Sequence, residues 1–159
     1  MKKKPILKKQ MNRQYYYLFG LSAILMLLAI CLESPQRLLD GMITILISPS
    51  QLFTDYMQIA SVGSTLLNVA IMLLINIYSY KKLEIPVNGT VIGSLGMLAG
   101  FSFFGKNLFN SIPFMIGVWI YTKVTKQNYR NYVIVGLFGS SLGPLVSFLA
   151  FGGVLPSGV

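Results

Sequence analysis

Two stretches of this chain, residues 15–32 (YYYLFGLSAILMLLAICL) and 62–80 (VGSTLLNVAIMLLINIYSY), run for 18 and 19 residues without one charged side chain. An α-helix rises about 1.5 Å per residue, so either stretch comes close to spanning the roughly 30 Å hydrocarbon core of a bilayer. In lipid every backbone N–H and C=O must find a partner inside the protein, which for a lone stretch means a helix. Composition agrees: 54% of the 159 residues are hydrophobic and 11% are charged, against about a quarter charged in an ordinary soluble domain. A soluble fold of this length would be left with large apolar patches on its surface. The expected class is therefore all-α, a polytopic integral membrane protein whose first partner is the lipid bilayer.

Counting removes other classes. With no His and a single Cys, Cys31, the chain has no His-ligated metal site, no Ser-His-Asp triad and no internal disulfide. Its four acids, Glu33, Asp40, Asp55 and Glu84, are scattered along the sequence, which disfavours paired-carboxylate hydrolysis and multi-acid metal chemistry. No enzyme activity, metal or cofactor is expected. An enzyme would need Asp55 and Lys106 brought together by the fold.

The net charge of +9 would suit nucleic acid if the basic residues formed one patch, but in a membrane protein they usually record orientation. Residues 1–14 (MKKKPILKKQMNRQ) hold six basic residues and no acid directly before the first apolar run. This is read as a basic cytoplasmic tail, followed by a transmembrane domain over residues 15–159. A signal peptide has a similar outline, yet the apolar run is long for one and no small-x-small cleavage site follows. Tyr15, Tyr16 and Tyr17 then read as an interfacial aromatic belt.

Between the two long runs, residues 41–58 are apolar but cut by Ser48-Pro49-Ser50. Seven residues before that cut are too few to cross, so a re-entrant or interfacial pair of short helices is expected. The next element, 86–104, starts at Pro86 and Asn88, both good helix-start residues. The stretch 101–114 (FSFFGKNLFNSIPF) breaks the apolar pattern, and 115–121 leads to a basic loop with Lys123, Lys126 and Arg130. A last span covers 132–151, broken at Gly143-Pro144. This makes about five membrane-embedded elements. With the N-terminus inside and 41–60 re-entrant, all of the 13 basic residues except Arg37 and Lys106 fall on the inner side, a strong positive-inside signal. The expected location is the cell membrane, multi-pass, with a cytoplasmic N-terminus and no role for nucleic acid.

Several residues stand out within this frame. Gly89, Gly93, Gly96 and Gly100 fit in an arc of about 60° on one helix, a stripe that predicts close packing against another helix. Gly100-x-x-x-x-Gly105-Lys106-Asn107 approximates a P-loop, but Asn107 stands where Ser or Thr is required and no strand precedes the glycines. Lys106 has two readings. Either it lines a cavity at depth, where a cation favours an anionic or polar solute, or it snorkels from the tip of a hairpin. Asp55 pairs with Lys106, binds a cation, or caps a helix. Asn68, Asn76, Asn107 and Asn110 either coordinate a solute or serve as interhelical hydrogen-bonding glue. Of these, Asp55, Asn68, Lys106, Asn107 and Asn110 are the candidates for a substrate path. The sequon Asn88-Gly89-Thr90 falls at the inner edge of a span and is discounted.

The segments ISPSQLFTDY (47–56), VGSTLLNVA (62–70), GFSFFGKNLFN (100–110) with Pro113, and GSSLGPLVS (139–147) resemble an uncharacterised bacterial family of multi-pass membrane proteins, domain of unknown function 1576. GFSFFGKNLFN is the most specific of them. The resemblance implies no activity, substrate or site residue. It does imply a longer protein with further spans, from which this sequence departs by ending in GGVLPSGV, so an N-terminal fragment is expected. Broken helices, glycine stripes and isolated polar groups at depth are how secondary transporters and channels build solute sites. The leading expectation is a transporter- or channel-like role for a small polar or anionic solute, completed by a homo-oligomer or by a missing C-terminal half. The alternative is a non-transporting scaffold or assembly subunit.

Overall fold

The computed structural model describes residues 3–48, 54–144 and 149. Among them are seven α-helices: α1 (Lys3–Leu32), α2 (Pro35–Ile47), α3 (Tyr56–Ile59), α4 (Val62–Lys82), α5 (Gly89–Phe101), α6 (Leu108–Val124) and α7 (Val133–Ser141). A 3₁₀ turn, Tyr129–Asn131, precedes α7. The described residues include no strand, and the all-α expectation holds.

Two helices, Met11–Leu32 within α1 and Val62–Lys82, are long and apolar enough to cross a membrane. They pack antiparallel along their whole length. The Tyr15 hydroxyl donates to the Ile85 carbonyl at 2.6 Å, Ser22 Oγ to the Ala70 carbonyl at 2.8 Å, and Ser61 Oγ to Glu33 at 2.6 Å. The end of α1 and the start of α4 are thus joined, so the intervening segment returns to the end of the molecule that it left. α2 begins six residues before the expected stretch, because Ser34 accepts from the Arg37 N–H and Pro35 opens the first turn. At 13 residues α2 is about 20 Å long, too short to cross. Pro49 and the residues up to 53 lie outside the described residues.

α4 is the hub, touching α1, α2, α3 and α5, while α7 lies between α5 and α6. The core joins Val69, Met72, Leu73 and Ile77 of α4 to Val91, Leu95 and Leu98 of α5 and to Val133 and Leu137 of α7. Close approach is set by glycines. A Cβ on Gly41 would collide with the Ser64 side chain, and one on Gly63 would lie 2.9 Å from the Glu33 carboxyl carbon. On α7, a Cβ at Gly136 would meet Val118 at 2.9 Å.

Several expectations are corrected. Gly89, Gly93, Gly96 and Gly100 are exposed, and a Cβ on any of them would meet nothing within 4 Å. α5 turns Val91, Ser94, Leu95 and Leu98 inward instead, because the three larger apolar groups gain more from burial than glycine does and Ser94 is hydrogen-bonded to Tyr80 and the Val91 carbonyl. The Tyr belt divides: Tyr16 and Tyr17 are exposed, whereas Tyr15 is buried against Ile85. α1 starts at Lys3, inside the basic tail. α6 starts at Leu108 and runs through Pro113. Of the expected span 132–151, α7 covers Val133–Ser141; residues 145–148 and those from 150 onward lie outside the described residues.

Candidate functional site

The helical path from α5 to α6 breaks over residues 102–107, and polar groups fill the break. The Phe101 carbonyl accepts from both Phe104 N (2.9 Å) and Lys106 N (3.2 Å). Gly105 takes φ 73°, the left-handed conformation that glycine adopts without a Cβ penalty. Asn107 then restarts the helix. Its side chain accepts from Asn110 N at 3.1 Å while Asn110 Oδ1 accepts from Asn107 N at 3.1 Å, a reciprocal capping box.

Three distant elements hold this break. From α4, Asn68 Nδ2 donates to the carbonyls of Ser102 (2.8 Å) and Lys106 (3.0 Å). From α2, the Ile45 carbonyl accepts from Asn107 Nδ2 at 2.9 Å. From the start of α3, Tyr56 N donates to the Phe103 carbonyl at 3.3 Å, and the Tyr56 hydroxyl accepts from Asn107 Nδ2 at 3.2 Å. The inward end of the short helix α2 therefore meets the start of α6. Two chain interruptions share one polar knot.

Lys106 lies at its centre, 0% exposed. Nζ donates to Ser140 Oγ of α7 at 2.7 Å, and that hydroxyl donates onward to the Leu137 carbonyl at 2.8 Å. Among the described residues no carboxylate pairs with it. Snorkelling from a hairpin tip is thus excluded by burial.

The other candidates sort differently. Asp55 does not pair with Lys106; its carboxylate caps α3, accepting from Met57 N at 2.9 Å and Gln58 N at 3.4 Å, while its backbone bridges Phe104. Asn68, Asn107 and Asn110 donate to backbone carbonyls, Asn110 to that of Gly105 at 2.6 Å. They fix the break and leave Lys106 as the one candidate whose charged group is held by a side chain alone. The P-loop likeness ends here too, since helix α5 stands where the motif requires a strand.

Ser140 also faces a crevice of about 370 Å³ between α4 and α6. α4 contributes Met72, Ile75, Asn76 and Ser79, and α6 contributes Leu108, Ser111, Met115 and Trp119 among others. Each set recurs at three- and four-residue spacing, so one whole stripe of each helix faces the gap. Tyr129 closes the end near the basic loop. Sequence reasoning missed this wall except for Asn76, whose amide turns back onto the Met72 carbonyl at 2.8 Å.

The model of one family, described as Protein of unknown function (DUF1576), matches residues 34–159. The chain belongs to DUF1576. The match begins at the N-cap of α2 and takes in the whole polar knot, so the break with Lys106 lies in the part shared with DUF1576, while α1 precedes it. No curated protein and no solved structure matches the chain.

Proposed function

We propose that this DUF1576 protein is a multi-pass protein of the cell membrane, N-terminus in the cytoplasm, that lets a small polar or anionic solute cross, with Lys106 on the route. The observation that carries this reading is the burial of Lys106 where two chain interruptions meet. Asn68, which holds the Lys106 carbonyl, precedes Lys82 by 14 residues, or about 21 Å of helix. With Lys81 and Lys82 at the inner face, Lys106 lies about two thirds of the way through the hydrocarbon. A charge there costs roughly 3 kcal/mol on insertion scales, and such residues commonly mark solute or ion routes. Interrupted helices meeting at depth support the same reading. A second copy of the chain or further spans would complete the path.

The test uses the purified full chain in liposomes loaded in turn with chloride, nitrate, phosphate or acetate. At least one anion should leave ten times faster than from protein-free vesicles, and Lys106→Ala should abolish the excess while leaving the size-exclusion profile unchanged. Background rates for all four anions, or the same flux in Lys106→Ala, would overturn the reading.

A second reading, a scaffold or assembly subunit, is favoured by the open stripe Gly89, Gly93, Gly96 and Gly100, which has space for a close-packed helix of another chain. Under it, Gly93→Leu with Gly96→Leu dissociates a complex in native membranes and leaves anion flux at background in every form.

A further inference from the structure

We infer that the crevice between α4 and α6 binds one anionic phospholipid of the cytoplasmic leaflet, with an acyl chain along the two helix stripes and the headgroup at a basic rim. The inference rests on the membrane placement proposed above and does not require transport.

The dimensions suit one leaflet. Along the α6 wall Trp119 lies eleven residues beyond Leu108, about 16 Å, close to half of the roughly 30 Å hydrocarbon thickness. Its walls are mainly apolar, and Ile112, Ile116 and Trp119 are partly exposed, so the crevice opens sideways to its surroundings. A fatty chain would gain from burial there roughly in proportion to the apolar area it covers.

Charge and aromatic placement identify the headgroup end. Trp119 and Tyr129, residue types that favour the membrane–water interface, line the end next to the basic loop. One helical turn farther out, the same two stripes continue onto cations: Lys82 follows Ser79 by three residues and Lys123 follows Trp119 by four. Lys123 Nζ stands 5.7 Å from the Trp119 ring centre. Arg130 adjoins Tyr129 and donates through Nη2 to the Glu84 carbonyl. Glu84 is the one acid in these terminal segments, against Lys82, Lys123, Lys126 and Arg130. Basic clusters beside an intramembrane crevice on the cytoplasmic side attract anionic headgroups.

Trp119 is the only tryptophan in the chain, so its fluorescence reports on the crevice. The full chain is reconstituted in phosphatidylcholine containing acyl-brominated lipid, either phosphatidylglycerol or phosphatidylcholine at equal mole fraction. The reference is Ile24→Trp in a Trp119→Phe background, because Ile24 is exposed on α1. We expect Trp119 to be quenched at least threefold more effectively by the brominated anionic lipid, with Lys123→Gln/Arg130→Gln bringing the ratio to one. The reference tryptophan should be quenched equally by both lipids. Equal quenching of Trp119 by the two lipids would overturn the inference in favour of an ordinary lipid annulus. Weak quenching of Trp119 beside strong quenching of the reference would overturn it in favour of a protein segment filling the crevice. Absence of quenching at both positions would overturn the membrane placement itself.

Discussion

α4 meets its neighbours in two ways. Toward α1 and α2 it is sealed, with Gly41 against Ser64, Gly63 against Glu33, and Ser22 bonded to the Ala70 carbonyl. Toward α6 the facing stripes stand apart across a crevice of about 370 Å³. The sealed side uses small residues and short hydrogen bonds, the means by which membrane helices associate when lipid is as apolar as leucine. The open side carries larger apolar groups, a few hydroxyls and the Asn76 amide, and at its far end touches Ser140, the partner of Lys106. The tightest glycine contacts of the hub lie on one side, and the crevice that reaches Ser140 lies on the other.

Substitutions can break or sharpen this contrast. The largest effect is expected from Gly41→Leu, whose side chain has no space beside Ser64. The overpacking should cost on the order of 3 kcal/mol, read as loss of the monodisperse peak when a fluorescent fusion is extracted in detergent. Asp55→Ala removes the cap of α3, an element packed on α4, and should cost about 1 kcal/mol, whereas Asp55→Asn should be nearly neutral because both residues cap well. Thermal unfolding in detergent separates the two, and equal losses would mean that the Asp55 charge matters beyond capping. Ser22→Ala should cost about 0.6 kcal/mol, the average for a hydrogen bond between membrane helices. On the open side, Ile112→Phe should change stability by less than about 0.5 kcal/mol, as at sites without tight packing. A loss as large as that of Gly41→Leu would show that the crevice wall is as tightly constrained as the sealed face.

The legible and illegible parts of the sequence divide along the same line. Helix α4 and the apolar part of α1 follow from length and hydropathy, and the caps Asn88 and Asp55 from residue type. The break at Gly105 was visible as an interruption in an apolar run. Periodicity describes only a helix's own faces, however, and not which face finds a neighbour. The glycine stripe of α5 was conspicuous and faces outward, while Gly41 and Gly63, isolated in sequence, make the closest approaches because Ser64 and Glu33 arrive from other elements. Lys106 was ambiguous for the same reason. Its deciding partner, Ser140, is 34 residues away.

The unequal burial of the two long helices also bears on the order of assembly. Of the membrane-length window in α1, 17% is buried, against 50% in α4. α1 ends at Leu32 and α4 at Lys82, 50 residues later, a delay of roughly 3–10 s at ordinary rates of synthesis. Under the membrane placement proposed above, the earlier of the two helices is the one whose surface is left mostly to lipid. α4, with Ser64, Thr65 and Asn68 buried along it, would then arrive when a docking surface is already in place.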